Sequence, residues 1–231
     1  MNWLYERNND NTARFVLGTV GESPLICFGI NPSTAEPNQL DPTLKRVQKY
    51  AGQNHFDSWI MLNIYPQRAI IPNDISFEID NDLHKQNIGH ITQILERKHL
   101  TLWAAWGSVI SSRTYLKKCL TEIADIAKEN ECSWVSIGET RDGHPYHPLA
   151  RAKGFKLYST PLKAFDIRKY PMATYYNYDE ICAFRRAERK KKEYEKWSNA
   201  IRGCLIGGAV GDALAMIVKW MDILLIQTRI G

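Results

Sequence analysis

Two asparagines and a pair of histidines stand at comparable points of the chain, each just beyond a short apolar run. Leu25-Ile26-Cys27-Phe28 leads into Gly29-Ile30-Asn31-Pro32-Ser33, and Trp59-Ile60-Met61-Leu62 ends on Asn63. Trp134-Val135-Ser136-Ile137 precedes a loop with Gly143-His144-Pro145-Tyr146-His147-Pro148-Leu149. A carboxamide presents a donor beside an acceptor, and an imidazole N–H can donate to a developing negative charge. An amide cannot take up a proton, so an asparagine can only orient water; a carboxylate is a better base than an amide, and Asp41, with Glu36 in the same loop system, is the candidate. Each residue also has a plainer role. Asn31 could close an Asx-turn, Asn63 could pair with backbone at a strand end, and His147 could be loop structure. Asp41 precedes Pro42 and a helical pattern, as an N-cap residue does.

The apolar runs are bounded by turn formers and read as buried strands. Ala13 to Gly18, Leu25 to Phe28, Trp59 to Asn63, Thr101 to Gly107 and Trp134 to Ile137 are the expected strands. Residues 42–52, Asn81 to Arg97 and Ser108 to Ala127 carry helical spacing, while residues 1–12 read as irregular. Strands alternating with helices predict an α/β fold, a three-layer αβα sandwich with a mostly parallel central sheet of about four strands. Ligands of such sheets lie at the carboxyl ends of the strands, where the asparagines and histidines would share one edge.

With 231 residues, 44% apolar and 24% charged, the chain has the make-up of a soluble globular protein with a substantial core. A net charge of +5 permits an anionic partner without requiring one. The five cysteines are scattered and form no C-x-x-C pair, which argues for a reducing cytoplasm and against structural zinc or an iron–sulfur cluster. His84, His90 and His99 lack companions at ligand spacing, so neither a metal nor another cofactor is expected. The polar start MNWLYERNNDNTARF contains no apolar core of a secretory signal.

On GINPS, on the strand-end Asn63 and on the final His147-Pro148-Leu149, the chain resembles the uracil-DNA glycosylase superfamily, whose mismatch-specific branch carries GINPG and HPSPLS. It resembles still more closely the DUF1643 family, in which NPSTA, DPT, LN…P-x-RA, AWG and HPL follow in this order. The likeness spans about residues 13 to 165.

The resemblance implies a DNA glycosylase without cofactor that flips a base out of DNA and hydrolyses its N-glycosidic bond. Asn31 would position water or the sugar, His147 would donate to the departing base anion, and Asp41 would assist. Asn63 would read the edge of the flipped base, with Ile30, Tyr65 and His144 around it. Ser33, Arg68, Arg141, Tyr146, Arg151 and Lys153 would meet the DNA. Ser33 stands where the mismatch-specific branch has glycine, so a modified pyrimidine, such as one in hypermodified phage DNA, is as good an expected substrate as uracil. A role in phage defence and a non-catalytic nucleotide- or DNA-binding module of the same fold are both compatible with these residues. The expected partner is DNA, and no protein partner is inferable.

The expected organisation is a glycosylase-like domain over 1–165, a basic helical extension over 166–198 containing AFRRAERKKK, and a tail over 199–231. In the tail, RGCLIGGAVGDALA resembles the opening helix of ADP-ribosylglycohydrolases, and it reads as a truncated remnant because the acidic motifs of that family are absent. Asp212, Lys219 and Asp222 interrupt the apolar run from Cys204 to Ile226 and argue against a membrane span.

Overall fold

Strands β3 (Pro24–Gly29) and β4 (Ser58–Asn63) are buried along their whole length, the pattern of strands covered on both faces. The computed structural model, which describes residues 2–71, 74–151 and 155–170, pairs them in parallel from Pro24↔Ser58 to Gly29↔Asn63. Strands β5 (Thr101–Ala104) and β6 (Ser133–Ser136) continue the parallel run on the other side of β3.

Helix α1 (Pro42–Gln53) joins β3 to β4, α2 (Asn81–Leu95) joins β4 to β5, and α3 (Thr114–Glu129) joins β5 to β6. The first connection runs along the sheet in one direction and the other two run in the opposite one. Right-handed crossovers therefore place α1 on one face and α2 with α3 on the other. On the α1 face, Leu44, Val47, Tyr50 and Ala51 pack with Leu25, Cys27, Met61 and Trp103. The chain leaving β3 thus departs to the face opposite that taken by its neighbours β4 and β5, which makes the end of β3 the switch point of the sheet, the position at which such sheets bind ligands.

The sheet is larger than the sequence predicts. It has seven strands in the order β1-β2-β4-β3-β5-β6-β7 and is mixed, because β1 (Trp3–Arg7), β2 (Arg14–Thr19) and β7 (Lys163–Ala164) pair antiparallel. The expectation of about four mostly parallel strands covers only the centre. β1 lies at an edge within a polar segment and is at most half-buried, and β7 has two exposed residues, so neither carries a burial period. The helix expected from Ser108 is also divided. A 3-10 turn over Gly107–Ser112 stops at Arg113, which is extended (φ −138°, ψ 136°), and α3 begins after it. The break lets the buried Arg113 guanidinium donate to the carbonyls of Ile75 (2.7 Å) and Ser76 (3.2 Å), fixing the loop after β4.

One bulge matters for the site. Glu6 pairs with Val16 but Arg7 pairs with Arg14, so Phe15 is an extra residue in β2. Phe15 stacks on His90 of α2 at 4.7 Å, while Arg14 is turned to the α1 face, where Nη1 donates to the Ala35 carbonyl.

The chain divides into a unit over Met1–Ala173 and another over Thr174–Gly231, and the described residues belong to the first. Most of the expected basic extension and all of the glycohydrolase-like tail lie outside the described residues, as does the apolar run near the C-terminus. Among the described residues no helix is long and apolar enough to cross a membrane.

Candidate active site at the carboxyl edge of the sheet

Gly29 and Asn63 end neighbouring strands and sit side by side. A Cβ on Gly29 would lie 3.3 Å from Asn63 Oδ1 and 2.6 Å from Met61 Cε, so the missing side chain makes room for the carboxamide. Asn63 is fully buried, and among the described residues neither its Nδ2 nor its Oδ1 has a hydrogen-bond partner. Its backbone carbonyl, by contrast, accepts from Asn87 Nδ2 at 2.9 Å. An unpaired buried amide costs about 1–3 kcal/mol.

Asn31 is a latch between two loops. Its Nδ2 donates to the carbonyls of Pro32 and Ala69, both at 2.9 Å, so both amide hydrogens are used. The Ala69 N–H returns a bond to the Pro32 carbonyl (2.9 Å), and the Tyr65 N–H donates to the Ile30 carbonyl (2.9 Å). What Asn31 retains for a ligand is its side-chain oxygen. Ile30 is 6% exposed and Tyr65 1%. Tyr65 packs edge-on against Tyr115 of α3, and its hydroxyl accepts from the Asp80 N–H at the start of α2.

The loop bearing His147 is tied to the end of β5. The Gly107 N–H donates to the Pro145 carbonyl (3.0 Å), and the Tyr146 N–H donates to the Gly138 carbonyl (2.8 Å). Gly107 has φ +61°, a conformation that disfavours a side chain, and its position faces His147 Cβ. From α1, Arg46 Nη1 donates to the Pro148 carbonyl at 2.9 Å. The Leu149 N–H donates to His147 Nδ1 at 3.1 Å, so the ring proton resides on Nε2. Burial pushes the His147 pKa down to about 4, against the pull of Asp41, with Arg46 adding to the shift. At neutral pH His147 is therefore an uncharged imidazole with an N–H to give. His144 is held differently, with Nδ1 2.7 Å from the Tyr170 hydroxyl in an aromatic cluster around Trp106.

Asp41 caps α1, its Oδ1 accepting from the Leu44 N–H at 2.9 Å. The same carboxylate acts through space on His147 and on Arg14. The carboxyl edge on the α1 face therefore gathers Asn63, Asp41, Arg46, His147 and Arg14. Arg14 and Arg46 are additions that sequence reasoning missed. Arg14 opens a strand, Arg46 falls on an ordinary helical pattern, and only the fold turns them to this edge.

Of the residues expected to meet DNA, Arg141 and Arg151 are exposed and Ser33 is half-buried. Arg68 is an internal strut. It donates to the Ser33 carbonyl, to the Tyr5 hydroxyl (3.1 Å) and to Asn11 Oδ1 (3.1 Å), and it lies 3.7 Å from Glu36 Oε1. The Tyr146 ring packs on Phe155 at 5.3 Å and closes over Gly138. Lys153 lies outside the described residues. Among the described residues no group of three or more His, Cys, Asp or Glu side chains is placed to hold a metal ion. A concavity of about 190 Å³ lies at the opposite, amino-terminal edge, between Pro24, Phe56 and Arg97, and contains none of the candidates.

Comparison with known proteins finds one family. The profile described as "Protein of unknown function (DUF1643)" matches residues 14–149, from the first residue of β2 to the leucine after His147-Pro148. No curated protein and no solved structure matches the chain.

Proposed function

The chain belongs to the DUF1643 family, and from that premise we propose that it is a monofunctional DNA glycosylase that extrudes a modified or damaged base and hydrolyses its N-glycosidic bond. The observation that carries the reading is the Leu149 N–H bond to His147 Nδ1, which leaves the proton of this half-buried imidazole on Nε2, in the field of the Asp41 carboxylate. Breaking the bond sends its electron pair to the base and leaves cationic character on the sugar. A neutral N–H donor to the base oxygen stabilises the anion, and a fixed donor needs no reorganisation as charge develops. The Asp41 carboxylate would stabilise the sugar cation and accept a hydrogen bond from the attacking water, and the Asn31 oxygen would help to hold that water. Asn63 would supply a donor and an acceptor to the edge of the base.

The reading requires the loop over Asn63 to open when a base enters, because the carboxamide is sealed in this conformation. That same closure, with both Asn31 amide hydrogens already used, favours a second reading: a nucleotide- or DNA-binding module without catalysis. Mutation separates the two. In a glycosylase His147→Ala abolishes abasic-site formation and leaves DNA binding within a few-fold, whereas a binder yields no abasic product even as wild type.

A further inference from the structure

The Arg14 guanidinium is 2% exposed, yet it is barely satisfied. Of the five N–H groups such a side chain carries, one makes a bond among the described residues, from Nη1 to the Ala35 carbonyl at 3.2 Å, and Nε has no partner there. Among the described residues Arg14 forms no ion pair, and the nearby Arg68 cation, which reaches the same Ala35 carbonyl, works against its charge. Asp41 favours the charge only through space. A buried cation left in this state is costly unless something pairs with it. The bulge at Phe15 turns the side chain to this face. On the same face and edge, the Asn63 carboxamide is also buried without a partner. Two unrelated side chains, a cation with a single hydrogen bond and an amide with none among the described residues, are left under-satisfied at the carboxyl edge beside α1.

We propose that Arg14 is the base of an oxyanion-binding site that takes a phosphate group, reached when the loop over residues 30–40 lifts. A guanidinium with Nε and its second amino group unspent offers the two-pronged donor that phosphate oxygens fit. The phosphate arrives either on a free mononucleotide or within a DNA strand. The site does not depend on the glycosylase reading, because phosphate binding and base release are measured separately and either can fail alone.

The test is calorimetric titration of the full chain with inorganic phosphate against potassium chloride of matched ionic strength. Wild type is expected to bind phosphate saturably at a single site, and Arg14→Gln is expected to lose at least tenfold in affinity. Asp41→Asn keeps a good helix cap and removes a nearby negative charge, so it should bind phosphate about threefold or more tightly. It provides the reading if the Arg14 variant does not fold. Absence of saturable binding to wild type, or an affinity unchanged in Asp41→Asn or in folded Arg14→Gln, overturns the site. Nucleoside 5′-monophosphates and oligonucleotides lacking terminal phosphates then identify the source: tighter binding of the former assigns a free nucleotide, and of the latter a DNA strand.

Discussion

Because burial keeps His147 neutral down to about pH 4, the folded protein declines a proton that the unfolded chain takes up near 6.5. Stability is therefore complete above pH 6.5 and falls as pH drops towards 4, by up to about 3 kcal/mol from this group. His144 is shifted in the same direction by burial. Urea unfolding between pH 7 and pH 5 should show the loss, and His147→Gln should remove a large part of the slope while leaving the His144 share. A slope equal to wild type would mean that His147 titrates normally. Asn63 supports an opposite kind of prediction. Asn63→Leu replaces an unpartnered buried amide with an apolar group of similar size, so stability should hold or rise by about 1 kcal/mol. If the carboxamide serves a ligand, that variant should be at least as stable as wild type and inactive. A destabilised Asn63→Leu protein would assign the amide a structural partner.

At the scale of elements, α1 connects the candidates. Its N-cap is Asp41, and Arg46, inside the helix, holds the loop that carries His147. Asp41→Ala should cost about 1 kcal/mol in thermal or urea unfolding through the lost cap, and Asp41→Asn should cost little. Under the proposed chemistry both variants lose turnover, so the cap and the catalytic contribution separate at asparagine. Gly107, at φ +61°, should resist substitution, with Gly107→Ala costing about 1–2 kcal/mol and disturbing the Pro145 anchor. The long apolar strands and α1 were legible because full burial and helical spacing both leave periodic signals. The α1 boundary was marked by Asp41-Pro42, and the structure places the helix from Pro42. The edge strands β1 and β7 left no such signal, and the break at Arg113 is imposed by tertiary contacts with Ile75 and Ser76 that no local pattern contains.

Across the whole first unit, the shared edge of Asn63 and the His147 loop follows from a parallel run of four strands, which the alternation of strands and helices foretold. The orientation of each side chain was not legible. Tyr65, read as a partner for a base, points to the α2 and α3 side and supports Asp80. Arg68, read as a phosphate contact, is spent on the protein's own carbonyls and on Tyr5 and Asn11. Arg14 was overlooked because nothing in ARFVLG signals the bulge that turns it inward. The most direct test of the proposed function is to incubate the full chain with DNAs carrying uracil, mismatched thymine, and hydroxymethylated or glucosylated cytosine, and to follow free bases by mass spectrometry and abasic sites by alkaline cleavage. Release of one of these bases, abolished in His147→Ala, is the predicted result; DNA binding with no base released from any of them would contradict it.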